Sequence, residues 1–188
     1  MRFCYADPPY PGQAKRYAHD QRHAEVDPVE LMLRLEREYP DGWAMSTSSP
    51  ALRVIAPAMP EGARIAAWCK TFSNMKPWVW PTYAWEPVIF HPGKAQRDRP
   101  TPFDYFQSMP TMKNFMGAKP AEFCFWIFDM LGARQGDELV DLFPGTGAVS
   151  QAWEFYQRTI APPAEAPLTV EEACMFSAAR EEPHDPRE

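Results

Sequence analysis

The tetrapeptide Asp7-Pro8-Pro9-Tyr10 is the first stretch of this chain whose residue types could carry out chemistry. It follows a short apolar run, residues 2–6, that reads as a buried strand, so it lies where a strand gives way to a loop. Ligands of open α/β sheets bind at this place, beyond the carboxyl ends of the strands. The tetrapeptide is therefore a candidate catalytic loop, and a plain surface turn is the alternative.

The chemistry that suits this loop follows from its atoms. An exocyclic amino group of a nucleobase is a poor nucleophile, because its nitrogen lone pair is delocalised into the ring. A carboxylate that accepts one N–H and a carbonyl that accepts the other would favour a pyramidal nitrogen whose lone pair points at an electrophile. Asp7 offers the carboxylate and Pro8 the carbonyl, which two successive prolines hold rigidly. Tyr10 offers a flat ring on which a flipped-out base could stack.

A second candidate site is the run Asp141-Leu-Phe143-Pro144-Gly145-Thr146-Gly147, which reads as a strand end, a glycine turn and the start of a helix. Glycines let the backbone approach a ligand closely. A dinucleotide would need a third glycine and an acid at the end of the next strand, but Ser150 and the tail residue Glu165 stand nearest those places. S-adenosylmethionine (SAM), a cationic sulfonium without phosphate, suits a glycine turn flanked by carboxylates better. A tight turn without a ligand is the alternative.

The elements that must position these two stretches alternate between strand and helix. Asp27-Pro28-Val29-Glu30 is a typical helix start, and this helix is predicted to run to about Tyr39. Further strands are predicted at 42–46, 63–69 and 138–143, and further helices at 49–57, 119–131 and 148–157. Residues 85–90 are predicted to form an edge strand, because Pro87 cannot donate to a central ladder. This order predicts an α/β domain with right-handed crossovers in a largely parallel sheet.

The segments between these elements differ in composition. Residues 11–26 are polar and read as a loop that could close over a substrate, with Lys15 and Arg16 as candidate contacts. Residues 71–84 are rich in Pro and Trp, and 91–118 read as a basic, aromatic loop. We therefore expect a single domain over 1–160 with 71–118 as inserted loops that face the substrate, and an acidic, Pro-rich tail over 161–188 that is disordered or loosely docked.

The overall composition limits the classes of protein to which this chain could belong. The 188 residues, 45% of them hydrophobic, suffice for one packed core. The four cysteines include no C-x-x-C pair, which argues for reduced thiols in a cytosolic protein and against a zinc site. No early apolar run resembles a signal peptide, and none reaches membrane-spanning length.

The net charge of −6 is unusual for a partner of nucleic acid, but its distribution is uneven. Residues 163–188 hold seven acidic and two basic residues, a net charge of −5, which leaves the body at about −1. Within the body, Lys94, Arg97 and Arg99 form a modest basic cluster. This cluster is a candidate phosphate contact, with a solvated loop as the alternative.

Together these motifs resemble the SAM-dependent amino-methyltransferases that act on nucleic-acid bases, in the permuted arrangement where the catalytic Asp-Pro-Pro-Tyr comes first and the cofactor glycine loop last. Three blocks carry the resemblance: Asp7 to Tyr10, Lys119-Pro120-Ala-Glu122 at a helix start, and Asp141 to Gly147. Their order and spacing are similar to those of the messenger-RNA adenosine methyltransferases and of related phage and bacterial DNA adenine enzymes. The resemblance implies a reduced, circularly permuted Rossmann-like methyltransferase fold with helices on both faces of the sheet.

The resemblance also implies roles for individual residues. Asp7 and Pro8 would hold the target amino group, Tyr10 would stack on the base, and Lys119 would reach the methionine carboxylate of the cofactor. The cofactor pocket would be lined by Asp7 near the methionine amine together with Asp141, Phe143, Pro144, Gly145, Thr146, Gly147 and Gln151. No metal is implied, because a sulfonium is already a strong electrophile.

The resemblance leaves the substrate partly open. Tyr10 favours adenine, and because the messenger-RNA branch more often has Trp at that place, DNA is expected over RNA, in the cytoplasm of a bacterial or phage-infected cell. Only 71–118 is free for target recognition, and Gln151 and Glu154 are the sole polar residues near the expected ribose site. The alternatives are the same reaction on RNA, or a catalytically silent methyltransferase-like scaffold or partner subunit. For the assembly, a homodimer and a complex with a partner subunit are both left open.

Overall fold

The computed structural model describes residues 1–10, 12, 25–72, 78–94, 98–110 and 119–159. Expectations for Lys15, Arg16, Arg97 and the acidic tail fall outside these ranges. The described residues form six strands and four α-helices. In chain order these are β1 (Arg2–Ala6), α1 (Pro28–Glu38), β2 (Trp43–Ser46), α2 (Leu52–Ile55), β3 (Arg64–Lys70), β4 (Trp85–His91), β5 (Tyr105–Ser108), α3 (Ala121–Leu131), β6 (Glu138–Asp141) and α4 (Ala148–Thr159).

The six strands form one sheet in the order β5-β3-β4-β2-β1-β6. Strand β1 pairs in parallel with both β2 and β6, β3 pairs in parallel with β5, and β4 runs antiparallel between β2 and β3. Five strands therefore share one direction. The chain passes from β1 to β2 on one side and reaches β6 on the other side much later, so a crevice opens between the loops that follow β1 and β6.

Helices cover both faces of the sheet, because alternate strand residues point to opposite faces. Phe3 and Tyr5 of β1 pack in one buried cluster with α3 and α4. Cys4 and Ala6 pack in the other, with α1 and α2. The helix ends predicted from the sequence are also present: Asp27 accepts the backbone N–H groups of Val29 and Glu30, and Gly132 closes α3 in the left-handed conformation.

The prediction that residues 85–90 form an edge strand is wrong, because β4 lies between β3 and β2. The last residue pair of β2 and β4 is Ser46 with Val88. One position further, the Pro87 carbonyl accepts the Thr47 backbone N–H at 3.0 Å. In an antiparallel ladder the nitrogen and carbonyl of one residue face the same neighbour. The nitrogen of Pro87 therefore faces the end of β2, where a missing donor costs little.

The expectation that 91–118 is entirely loop is also wrong, because it contains β5. This strand has only four residues, all of them exposed or half-exposed, so its sequence lacks the run of buried apolar residues that predicts a strand. Its pairing with β3 depends on the register of Ala67 with Tyr105, which local sequence does not encode. None of the described helices has the length and apolarity needed to cross a membrane.

Candidate active site

The two candidate stretches lie side by side at the end of the sheet where the parallel strands have their carboxyl ends. In the parallel register of β1 with β6, Tyr5 is opposite Asp141. Directly beyond that pair, the Leu142 backbone N–H donates to the Tyr5 carbonyl at 3.1 Å. The loop that begins at Asp7 and the glycine turn that begins after Asp141 thus leave neighbouring strand ends into the same crevice.

The Asp7 carboxylate is paired with a buried ammonium. Lys119, the residue two positions before α3, donates from Nζ to Asp7 Oδ2 at 2.6 Å and has an exposed fraction of 8%. Its Nζ also lies 6.0 Å from the ring centres of Trp68 and Phe123. Burial raises the pKa of Asp7 above the usual aspartate range, and the attraction of Lys119 only partly offsets this.

A second carboxylate, Glu86 at the start of β4, lies next to this pair. Tyr10 donates its hydroxyl to Glu86 Oε2 at 2.9 Å, and Lys70 at the end of β3 donates to Glu86 Oε1. Burial alone would raise the pKa of Glu86, but Lys119 and Lys70 together lower it. The cluster therefore contains two carboxylates, two ammonium groups and the hydroxyl of Tyr10.

Glu86 and Lys70 were not among the residues predicted for the site. The available signal was an acidic residue at the start of an otherwise apolar strand, since the rest of β4 is largely buried. Their meeting depends on the antiparallel pairing of β3 with β4, which places Trp68 opposite Glu86 and Lys70 within reach. That pairing was not predicted.

Asp141 carries the buried polar atom that lacks a partner. Its Oδ1 accepts the Phe143 backbone N–H at 3.2 Å, whereas Oδ2 is buried and meets no hydrogen-bond donor from the described residues. Burial, with a smaller contribution from the charge of Asp7, raises the pKa of Asp141 to about 6. A ligand with a cationic N–H donor would satisfy this atom.

The turn after Asp141 requires glycine. Gly145 has a φ of 47° and Gly147 a φ of 78°, a conformation that residues with a Cβ rarely adopt. The Gly147 N–H donates back to the Pro144 carbonyl at 2.6 Å, and the Gly147 carbonyl accepts the Gln151 N–H at 3.0 Å in the first turn of α4. Pro144, Gly145 and Thr146 are exposed, so the turn is open to solvent.

The chain shares its fold with M1.HpyAVI. A crystal structure of the M1.HpyAVI-SAM complex matches it with a TM-score of 0.56 at 16% identity, over 82% of this chain and 78% of that chain. A second crystal structure of M1.HpyAVI gives a TM-score of 0.55 at 16% identity, over 82% and 76%. No protein-family model and no curated protein matches the sequence. The likeness to M1.HpyAVI confirms the predicted Rossmann-like α/β fold, with helices on both faces of a mostly parallel sheet.

Of the basic residues predicted to contact substrate, the structure describes Lys94 and Arg99, and neither lies at this crevice. His91, at the end of β4, is opposite Trp43 at the start of β2, so Lys94 lies beyond the opposite edge of the sheet. Arg99 donates to the Ala133 carbonyl at 2.6 Å and to the Tyr156 hydroxyl at 3.1 Å, which ties its loop to the ends of α3 and α4. Lys94 and Arg99 therefore lie away from the Asp7 loop and the glycine turn, and a substrate role for them stays a prediction.

The crevice thus offers hydrogen-bond acceptors and a glycine turn. Within the described ranges, no three His, Cys, Asp or Glu side chains converge into a metal-binding group. The acceptors come from Asp7 and Asp141, and the aromatic face from Tyr10. This set is suited to holding amino groups and a cationic ligand.

Proposed function

We propose that this protein transfers a methyl group from SAM to the exocyclic amino group of adenine in DNA. The observation that carries the proposal is the register of β1 with β6, which sets the loop of Asp7 beside the glycine turn after Asp141. The fold shared with M1.HpyAVI supports the choice of cofactor, because one of its crystal structures is a SAM complex.

The acceptor base would be held by the first loop. Lys119 occupies Asp7 Oδ2, and no described residue donates to Oδ1. Oδ1 is then available for one N–H of the target amino group, and the Pro8 carbonyl for the other. Both acceptors stabilise the positive charge that develops on nitrogen as it attacks, and fixing the geometry supplies most of the acceleration. The ion pair fixes the orientation of the carboxylate.

The cofactor would be held by the second loop. Asp141 Oδ2 is a buried acceptor without a described partner, and the methionine part of SAM carries a cationic amine that fits it. The left-handed turn through Gly145 and Gly147 brings bare backbone to the same place. When bound there, SAM supplies an electrophilic methyl group. Lys119, expected from the resemblance to reach the methionine carboxylate, is engaged with Asp7 and would contact the cofactor from that position.

The direct test is transfer of labelled methyl groups from SAM to oligonucleotides, followed by identification of the modified nucleoside. We expect N6-methyladenine in DNA oligonucleotides. Equal or greater labelling of RNA of the same sequence would replace DNA as the substrate, whereas labelling of neither would contradict the proposed activity.

Exposed aromatic side chains beside the crevice predict how the nucleic acid is held. The loop between β3 and β4 starts at Lys70 and returns where the Lys70 N–H donates to the Ala84 carbonyl, at 2.8 Å. It carries Trp78 and Trp80, whose exposed fractions are 86% and 97%. Bases stack on such rings with a free energy of about 1–3 kcal/mol each. Replacing both with Ala should weaken DNA binding about tenfold or more, measured by fluorescence anisotropy.

Phe103 provides the matched control, because it is an exposed aromatic residue at the other edge of the sheet. Its exposed fraction is 72%, and the next residue, Asp104, is paired with Arg64 at the start of β3. Phe103→Ala should leave DNA affinity unchanged. An equal loss in both variants would mean that DNA contacts are spread over the surface rather than gathered at the crevice.

A further inference from the structure

Tyr10 is held at both ends. Its backbone follows two prolines, whose rings fix φ, and its hydroxyl donates to Glu86 Oε2 at 2.9 Å. The bond links the loop after β1 to the start of β4, two strands away in the sheet. Because the bond acts at the far end of the phenol, it limits both tilting and rotation of the ring.

Glu86 is itself fixed by a second contact. Lys70 donates to Oε1, so each carboxylate oxygen has its own donor. The side chains of Lys70 and Glu86 are 20% and 22% exposed. Lys70 Nζ also lies 4.9 Å from the ring centre of Trp68. A carboxylate with both oxygens engaged can make few further contacts, which argues against Glu86 as a group that binds the reacting nitrogen.

We propose that Glu86 is a positioning residue, which holds the Tyr10 ring in the orientation on which the acceptor base stacks. The inference rests on the proposed function and adds a residue to it. Because stacking is present both before and during methyl transfer, it contributes equally to binding of the ground state and the transition state. Loss of such uniform binding raises KM and leaves kcat unchanged.

The experiment compares Tyr10→Phe, Glu86→Met and the double variant in steady-state methyl transfer to a DNA oligonucleotide. Tyr10→Phe removes only the hydroxyl, and Glu86→Met removes the acceptor at similar side-chain length. Each should raise KM for the oligonucleotide about tenfold while kcat stays within about twofold. The double variant should be no worse than either single variant, because both remove the same contact.

Two companion variants separate positioning from structural damage. Lys70→Met removes the second contact of Glu86 but keeps the bond between Tyr10 and Glu86, so its KM should rise less than that of Glu86→Met. Glu86→Gln leaves one acceptor oxygen for two donors, so its KM should lie between those of wild type and Glu86→Met. SAM affinity, measured by calorimetry, should be unchanged in all of them, because none alters the turn after β6.

Glu36 supplies the control carboxylate at the opposite end of β4. It accepts Trp43 Nε1 at 2.9 Å and is hydrogen-bonded to His91 Nδ1 at 2.8 Å, and its side chain is 33% exposed. Glu36→Gln should leave KM and kcat at their wild-type values.

The outcomes distinguish the inference from the function on which it rests. If the wild type is active, an unchanged KM in Glu86→Met would overturn the positioning role alone. Additive increases in KM that reach about a hundredfold in the double variant would do the same. A fall in kcat or in SAM affinity would also overturn it and give Glu86 a different role. Wild-type protein without any transfer to DNA or RNA would overturn the proposed function, and the positioning role with it.

Discussion

Replacing Asp7 with Ala should lower kcat for methyl transfer by about 10²–10³-fold or more. The Asp7 carboxylate is the charged acceptor that the tetrapeptide presents to the target amino group. Its contribution grows as positive charge develops on the nitrogen, so it belongs to the transition state more than to the ground state. Single-turnover labelling of a DNA oligonucleotide measures the effect without interference from product release.

The same substitution has a structural consequence that must be separated from catalysis. Lys119 is 8% exposed, and removing Asp7 leaves its ammonium without the acceptor 2.6 Å away. Breaking a buried ion pair costs about 3–5 kcal/mol. Glu86, the other carboxylate that acts on this lysine, reduces that cost. The single variant should therefore unfold at lower urea concentration than wild type.

The double variant Asp7→Ala/Lys119→Met separates the two effects. Removing both charges restores most of the stability, because both members of the ion pair are then absent. Activity should stay as low as in Asp7→Ala, since the acceptor is still absent. Recovery of methyl transfer together with stability would show that Asp7 acts on the fold and not on the substrate amine.

The sequence predicted the centre of the sheet and the two loops of the crevice, because these depend on local signals. Two patterns each predict a junction between a strand and a loop. One is a buried strand followed by Asp7-Pro8-Pro9-Tyr10, and the other is a strand followed by a glycine turn. Parallel strands joined through helices then bring their carboxyl ends to one edge. The register that pairs Tyr5 with Asp141 fits this expectation.

The remainder depended on pairings between distant segments. Pro87 predicted an edge strand, because proline lacks the N–H that a residue of a central strand would donate. The sequence alone does not show whether a carbonyl on the neighbouring strand lies opposite that nitrogen. Glu86 and Lys70 meet only because β3 pairs with β4 in antiparallel register. Arg99 was grouped with Lys94 by sequence distance, and the fold instead uses it to tie a loop to α3 and α4. Closeness in the sequence does not show at which end of the strands two loop residues lie.

Replacing Asp141 with Asn should stabilise the fold at pH 8 while weakening SAM binding. Burial raises the pKa of Asp141 to about 6 from a reference of 3.8. Folding therefore favours the protonated carboxyl, and its stabilising contribution is complete below pH 4 and is lost as the pH rises through 6. Asn is isosteric, stays neutral at every pH and keeps an oxygen for the Phe143 N–H. The gain at pH 8 should be about 1–2 kcal/mol, after allowance for partial exposure and for the unpaired amide of Asn.

Urea unfolding at pH 4 and pH 8 measures this difference. We expect the two proteins to be equally stable at pH 4 and the Asn variant to be more stable at pH 8. A stability difference that does not change with pH would mean that Asp141 does not titrate as its burial requires.

The expected loss of SAM affinity in the Asn variant also depends on Asp141 Oδ2. A cationic amine that binds Asp141 Oδ2 favours the ionised carboxylate, so SAM binding near pH 6 should release protons. Calorimetry in buffers of different ionisation enthalpy detects that release. The Asn variant should lose it and bind SAM about tenfold or more weakly, because a charge-assisted hydrogen bond is removed. Tighter binding by the Asn variant would mean that the buried oxygen is a cost to the fold without serving the ligand.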